Sequence, residues 1–220
     1  HTLKAGGAQP LPPKFFQEPA PFLQEAAALA QTDERAAGLK FHKLSFAGLR
    51  LADREFSECV FTACDLNGAF LKGCDFADVL FERCDLSGAD LRKSAFRRAG
   101  FIDCKGVGAD LSENSLKDVS FEKCAFPYAN FNAVKLNGAR FEGCAFSFAD
   151  FAECVQKNTS VAKCAFDRAN FFKTSLKGMD LSSCDIAGAA FSSSLFELKG
   201  AKIGLLQAAA LLRALGIETE

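Results

Sequence analysis

The stretch Cys84-Asp85-Leu86-Ser87-Gly88-Ala89-Asp90-Leu91-Arg92-Lys93 contains two consecutive five-residue units, each with a large apolar residue in the third place. The same frame runs from Phe41 to Phe196 through 32 such positions, of which 18 are Phe and 10 are Leu. A period of five matches neither the 3.6-residue helix nor the two-residue strand. The chain therefore has to turn a corner in every unit.

Small residues add a second, longer period. All ten cysteines lie two positions before a position of this frame, and seven of them recur every 20 residues: Cys64, Cys84, Cys104, Cys124, Cys144, Cys164 and Cys184. An alanine series with the same interval runs from Ala69 to Ala189. A 20-residue recurrence within a five-residue unit predicts that four units close one turn. We expect a square, all-β solenoid of about eight coils, which at the spacing of neighbouring strands is about 38 Å long.

In this solenoid the large residue and the small residue before it face the axis, and the other three positions face water. Stability then comes from stacking, so both ends need covers. We assign the shaft to residues 39–200, an N-terminal arm and capping helix to 1–38, and a C-terminal helix and tail to 201–220. Residues 1–7 lack an initiator Met, and we do not expect them to contribute to the fold. The Pro-rich arm leads into a predicted helix over Phe22–Ala37, which either covers the first coil or binds a partner.

The C-terminal segment Ile203–Ile217 is rich in helix formers and has Gly216 as a stop signal. The helix is apolar nearly all round, so one side can cover the last coil while another side needs a second partner. We predict a symmetric homodimer; the alternative is a monomer whose helix lies flat on the coil. The predicted dimer interface is formed by Leu205, Leu206, Leu211, Leu212, Leu215 and Ile217.

Ten cysteines raise the question of disulfides or metal. No C-x-x-C pair occurs, and the two histidines are His1 and His42, so we expect small buried thiols rather than a metal site. Unpaired thiols suit the cytoplasm. The sequence predicts no signal peptide and no membrane span. We find no phosphate-binding loop, nucleophile elbow or zinc-protease motif, and therefore expect neither an enzyme nor a cofactor.

Three inward positions break the pattern. Gly106 is expected to leave a gap or bend that Val107 fills. Gln156 is expected to turn outward beside a distorted Val155, because an inward amide needs hydrogen-bond partners. Asn114 poses the same question. Four aromatic residues are expected at exposed positions: Phe70, Tyr128, Phe148 and Phe172.

Units such as Cys84–Gly88 and Ala89–Lys93 resemble the A-(D/N)-L-x-x repeats of the pentapeptide repeat family, over residues 39–200. The resemblance implies a right-handed quadrilateral β-helix. The tail Leu206–Ile217 is similar to the dimerisation helix of the Qnr quinolone-resistance proteins, and Leu11-Pro12-Pro13 resembles the start of Qnr-type proteins from Gram-positive chromosomes. Several Qnr proteins carry loops between coils, whereas the frame here is unbroken.

The resemblance implies a DNA-mimicking rod that binds DNA gyrase or topoisomerase IV, shields it from quinolones and does not itself bind nucleic acid. A DNA mimic needs a negative stripe. The candidate is a row of stacked residues, Asp90, Asp110, Asn130, Asp150 and Asn170, although Asp and Asn also form local hydrogen bonds at corners. The formal charge of −1 and a basic side with Arg97, Arg98, Lys117, Lys157 and Lys177 count against mimicry. An interaction rod with another partner is the alternative.

Overall fold

Each five-residue unit bends the chain once, and the large residue of each unit lies at the centre of a short straight segment. The structure is a computed structural model that describes residues 35–214 and Gly216. Within these residues the segments form a four-walled parallel β-solenoid. The four-sided turn predicted from the 20-residue recurrence is therefore confirmed.

Two of the walls are regular seven-stranded parallel sheets. Wall 1 comprises β1 (Arg35–Ala37), β3 (Glu55–Ser57), β5 (Asp75–Ala77), β7 (Ala95–Arg97), β9 (Ser115–Lys117), β11 (Lys135–Asn137) and β13 (Val155–Lys157). Wall 2 comprises β2 (Lys40–His42), β4 (Val60–Thr62), β6 (Leu80–Glu82), β8 (Gly100–Ile102), β10 (Ser120–Glu122), β12 (Arg140–Glu142) and β14 (Ser160–Ala162).

The other two walls are held by single bridges between residues 20 apart. Wall 3 begins at the bridge Ser45↔Asp65, and wall 4 begins at the bridge Arg50↔Phe70. Backbone hydrogen bonds join each coil to the next on every wall, for example from Phe46 N to Asp65 O at 2.6 Å. The backbone polar groups of each coil are therefore satisfied by its neighbours.

Seven strands per sheet make six coil-to-coil steps, and isolated bridges such as Asn170↔Ala190 continue the stack beyond them. The regular strand ladder is shorter than the about eight coils expected from the sequence. The reason is that the units after Ala162 keep their turns but are not paired as strands.

The corners require a backbone conformation that the sequence period alone does not reveal. From Lys43 to Gly178, the second residue after each frame position adopts positive φ, as at Arg98 (49°) and Tyr128 (60°). This left-handed region favours glycine, and glycine occupies one corner column at Gly48, Gly68, Gly88, Gly108 and Gly188.

The core is a set of stacked columns. On wall 2 the rings of Phe41, Phe61, Phe81, Phe101, Phe121 and Phe141 stack at centroid distances of 4.5 to 5.1 Å. All ten cysteines are buried and free. Burial raises the pKa of the Cys59, Cys74 and Cys154 thiols to about 11, so they stay protonated. The interpretation of these cysteines as small core residues is confirmed.

Gly106 is buried, and the space above it is filled by the ring of Phe126, one coil later. A Cβ on Gly106 would lie 2.2 Å from Phe126 Cε1. Val107 is 38% exposed, so the expectation that Val107 fills this gap is wrong.

Gln156 also differs from expectation. It stays at the centre of β13, opposite Leu136, and its Nε2 donates to Ser175 O at 3.2 Å and Lys177 O at 3.0 Å. The inward amide thus finds partners on the following coil, and the predicted outward turn is wrong. Val155 beside it is exposed.

Both ends of the shaft depart from the sequence prediction. Arg35–Ala37 is a strand paired with β3, so the helix predicted over Phe22–Ala37 is wrong for these residues, and the solenoid already includes Arg35. The rest of that helix and the Pro-rich arm lie outside the described residues. At the other end Phe196 is 44% exposed and Glu197 is fully buried, because the frame shifts at Leu195, which has φ 51°.

A 3₁₀ turn, Phe196–Leu198, and an α-helix, α1 (Leu205–Ala214), follow the shaft. Gly216 has φ +77° and donates to Arg213 O at 2.9 Å, which is a glycine C-terminal stop as expected. None of the helices in the described part of the chain is long and apolar enough to span a bilayer.

Candidate interaction surfaces

The predicted acidic row lies on wall 4, where Asp90, Asp110, Asn130, Asp150 and Asn170 form successive parallel bridges. Each side chain accepts a hydrogen bond through Oδ1 from the backbone N–H two residues later, at 2.9 to 3.2 Å. These bonds brace the bend at the end of each short segment. The row therefore has a structural task in every coil.

The side chains of the acidic row also interact with a guanidinium group and with a side-chain amide. Arg92 binds Asp90 through two contacts of 2.8 Å and lies 3.8 Å from Asp110. The Arg92 guanidinium holds the pKa of Asp90 below its ordinary value. Asn170 Nδ2 donates to Asp150 Oδ1 at 3.0 Å. Three carboxylates and one guanidinium leave the row with a net charge of only −2.

An exposed aromatic ladder lies at the corner between walls 3 and 4. Tyr128 and Phe148 stack with ring centroids 4.9 Å apart, and the guanidinium of Arg168 lies 5.2 Å from the Phe148 centroid. Tyr128 is 61% exposed. The three residues occupy the corner column in which five other coils have glycine.

Aromatic and arginine side chains are enriched among the residues that dominate protein–protein binding. An aromatic residue in the left-handed region is uncommon, and here two of them follow each other without being buried. The sequence predicts Tyr128 and Phe148 as exposed but does not single out Arg168. The sequence does contain the information needed to group Arg168 with Tyr128 and Phe148, because the three residues follow each other at intervals of 20.

Helix α1 covers the last coil with one face. Gln207 Nε2 donates to Leu181 O at 2.9 Å and Cys184 O at 2.6 Å, and its Oε1 accepts from Gly204 N. Leu211 packs against the core. The helix thus satisfies carbonyl groups that the end of the solenoid would otherwise leave unpaired.

The other face of α1 is open to water. Leu205 and Leu206 are 86% and 87% exposed, and Leu212 is 37% exposed. Leu215 and Ile217 lie outside the described residues. Of the six predicted interface residues, the structure brings three together on the open face and places Leu211 on the covered one.

In the part of the chain that the structure describes, ionisable side chains form no metal-binding cluster. No group of three or more His, Cys, Asp or Glu residues could hold a metal ion there. The buried carboxylate of Glu197 accepts hydrogen bonds from Lys173 N at 3.0 Å and Ser192 N at 3.1 Å. It therefore satisfies backbone N–H groups at the end of the shaft.

Two family models match the shaft. A pentapeptide repeat model of eight copies matches residues 55–92, and a pentapeptide repeat region model matches residues 74–145. No curated protein matches the chain.

Three solved structures are similar to this chain. QnrB1, a plasmid-mediated fluoroquinolone resistance protein, is 20% identical with a TM-score of 0.42, and the match covers 83% of this chain and 90% of that one. HetL, a pentapeptide repeat protein involved in heterocyst differentiation regulation from Nostoc sp. strain PCC 7120, is 15% identical with a TM-score of 0.33, covering 80% and 92%. A pentapeptide repeat protein of the Arabidopsis thaliana thylakoid lumen is 19% identical with a TM-score of 0.23, covering 64% and 71%.

Proposed function

Since this chain is a pentapeptide repeat protein, we propose that it acts as a Qnr-like rod that binds DNA gyrase or topoisomerase IV and protects the enzyme from quinolones. The observation that carries the proposal is the open leucine face of α1 at the end of a rigid shaft. It belongs to the tail that is similar to the Qnr dimerisation helix. QnrB1, with the same kind of fold, is a fluoroquinolone resistance protein. The protein acts by binding rather than by catalysis.

The dimer is part of this proposal. Leu205, Leu206 and Leu212 would pack against the same residues of a second copy, because a self-complementary patch is what a two-fold interface needs. Light scattering on Leu206→Asp and Leu212→Asp variants tests it, with Val155→Asp as the control because Val155 is an exposed apolar residue on wall 1. We expect a dimer mass for the wild type and the control, and a monomer mass for the helix variants. A monomeric wild type would end the dimer proposal.

Protection is tested by a gyrase supercoiling assay with ciprofloxacin and increasing amounts of the protein. We expect supercoiling to recover at low protein and to be inhibited at high protein. Neither effect, with topoisomerase IV also unaffected, would reject the topoisomerase proposal.

The aromatic ladder is the surface that we expect to contact the enzyme. Removing a hot-spot side chain costs about 2 kcal/mol or more, so Tyr128→Ala with Phe148→Ala should raise the protein concentration needed for protection at least tenfold. Phe172→Ala is the matched control, because Phe172 is also exposed (43%) but lies outside the ladder. Equal losses in both variants would argue against the ladder.

The acidic row remains a proposed contact. Asp110→Asn and Asp150→Asn keep the Oδ1 acceptor for the backbone N–H and remove only charge. A change in protection by these variants would favour a role in mimicry. The free buried thiols are consistent with action in the cytoplasm.

A second candidate function is an interaction rod with a different protein partner. It is favoured by the weak charge of the acidic row, because a mimic of duplex DNA should present a clear excess of negative charge. The supercoiling assay separates the two candidates.

A further inference from the structure

The C-terminal half of wall 1 is strongly basic. From Ala95 to Lys177, the outward positions before and after each central residue hold five cations and no carboxylate. The cations are Arg97, Lys117, Lys135, Lys157 and Lys177. We call the four lysines the lysine patch.

Arg97 is neutralised by Asp75 at 2.9 Å, but the lysine patch is not. Within the described residues, no carboxylate forms an ion pair with any of its four lysines, and all four are exposed. The nearest corner glutamates are already engaged, Glu113 with Lys93 at 3.6 Å and Glu153 with Lys173 at 3.0 Å. Asp118, at the corner after Lys117, opposes the patch with a single charge.

The spacing of the patch is set by the parallel register. Lys117 is opposite Asn137, and Asn137 is opposite Lys157, so Lys117, Lys157 and Lys177 lie in one column over three coil intervals. Lys135 lies two residues before Asn137 on the same wall. At about 4.8 Å per interval the column is about 14 Å long.

Four charges over this length approximate the charge density of one DNA strand, which has about one phosphate per 3.4 Å. The strands of the wall are paired in parallel register and hydrogen-bonded from coil to coil, so the backbone holds the lysines at this spacing. Each ammonium group reaches from a flexible stem as a point charge, which suits phosphates and imposes no base preference.

An acidic protein surface fits this wall less well. Lysine is depleted at protein–protein interfaces, where aromatic residues and arginine are enriched. Val155 is the exposed large apolar residue among the outward positions from Ala95 to Lys177, and the aromatic ladder lies at a different corner.

We propose that the lysine patch binds the phosphate backbone of duplex DNA without sequence preference. DNA binding departs from the expectation of no nucleic acid contact that the sequence raised. It is independent of topoisomerase binding, because wall 1 and the corner between walls 3 and 4 are different surfaces.

The test is fluorescence anisotropy of a labelled 20-base-pair duplex titrated with the full chain between 25 and 200 mM NaCl. With four phosphates neutralised, the plot of log K against log salt should have a slope of about −3.6. The variant Lys117→Gln, Lys135→Gln, Lys157→Gln, Lys177→Gln should bind at least tenfold more weakly at 50 mM NaCl, with a slope near zero.

The control variant is Lys43→Gln, Lys72→Gln, Lys123→Gln, Lys163→Gln. These four exposed lysines lie away from wall 1, and both variants have the same formal charge of −5, from −1 − 4. The control should retain affinity within twofold. Absence of DNA binding at 25 mM NaCl, equal losses in both variants, or binding to polyglutamate but not to DNA would each overturn the proposal.

Discussion

Gly106→Ala should destabilise the protein because a ring from the next coil occupies the space of the new methyl group. The added Cβ would lie 2.2, 2.4 and 2.8 Å from three ring atoms of Phe126. The backbone of Gly106 is not left-handed, so the expected strain comes from this contact.

The magnitude follows from how little Phe126 can move. Non-bonded carbon atoms pack best at about 3.5–4.0 Å, so the Phe126 ring must shift by roughly 1 Å or more. Phe126 is fully buried and is surrounded by the rings of Phe101, Phe121, Phe131 and Phe146 at 5.7 to 6.5 Å. Overpacking a core costs about 1–3 kcal/mol. We expect a cost near the upper end, about 3 kcal/mol, because the four surrounding rings limit how far Phe126 can move.

Urea unfolding followed by circular dichroism measures this effect. The matched control is Gly108→Ala in the same coil, where the new Cβ meets nothing within 4 Å but φ is +64°. Its expected cost is about 1 kcal/mol, from backbone strain alone. In a Phe126→Leu background the cost of Gly106→Ala should fall below about 1 kcal/mol, a coupling of about 2 kcal/mol between contacting residues. Equal costs for the two glycine variants, or no coupling to Phe126, would refute the packing argument.

Three further predictions concern a cavity beside Val161, the buried amide of Asn114 and the buried carboxylate of Glu197. A cavity of about 20 Å³ adjoins Val161. Val161→Leu should therefore raise the urea midpoint by the equivalent of about 1 kcal/mol, the value of one buried methylene. A lower midpoint would show that the added carbon does not enter the cavity. Asn114 Oδ1 accepts a hydrogen bond from Ser94 N at 2.7 Å, while Asn114 Nδ2 has no partner within the described residues. Because serine keeps an acceptor at this position, the Asn114→Ser variant should be more stable than the Asn114→Ala variant by about 1–2 kcal/mol in the same assay. Equal stabilities of the two variants would contradict this role of the acceptor. For Glu197, burial alone would raise the pKa, but hydrogen bonds from the Lys173 and Ser192 backbone and the Ser192 hydroxyl hold it below the ordinary value of 4.5. A lowered folded-state pKa means that this stabilisation is present above pH 4.5 and is lost as the pH falls below it. Urea midpoints between pH 3 and 7 should therefore fall less steeply in Glu197→Gln than in the wild type, and parallel curves would exclude this role.

Most of the core was predictable because each large residue repeats the environment of the one 20 positions earlier. Phe81 and Phe101 occupy equivalent positions in successive coils and stack on each other, so the five-residue frame correctly assigns them to the interior. The frame fails at Phe196, because Leu195 adopts positive φ and the chain continues the stack out of frame, with Leu176 N donating to Glu197 O at 2.8 Å. An end has a coil on one side only, so the repeat does not determine its structure.

The sequence identifies the irregular units, but it does not show which residues fill the space or satisfy the polar groups there. Gly106 is filled by Phe126, 20 residues later, and Gln156 is satisfied by carbonyls 19 and 21 residues later. Val107 and Val155, the sequence neighbours invoked to explain them, point away into solvent. In a solenoid the nearest neighbour in space is one coil away, so local sequence reasoning examines the wrong residues.

The same rule governs the surfaces. Asp90 to Asn170 form a 20-residue column that follows the repeat consensus, and the hydrogen bond from each side chain to its own corner explains the column without a partner. Tyr128, Phe148 and Arg168 also form a column, but they replace glycine at a corner where a side chain adds strain and gains little burial. Lys117, Lys157 and Lys177 form a third column, and within residues 35–214 no ion pair balances their charge. A column that stabilises the fold does not require a partner, whereas a column that adds backbone strain at a corner or leaves charge unbalanced needs another explanation. On that criterion the ladder and the lysine patch are better candidates for function than the acidic row.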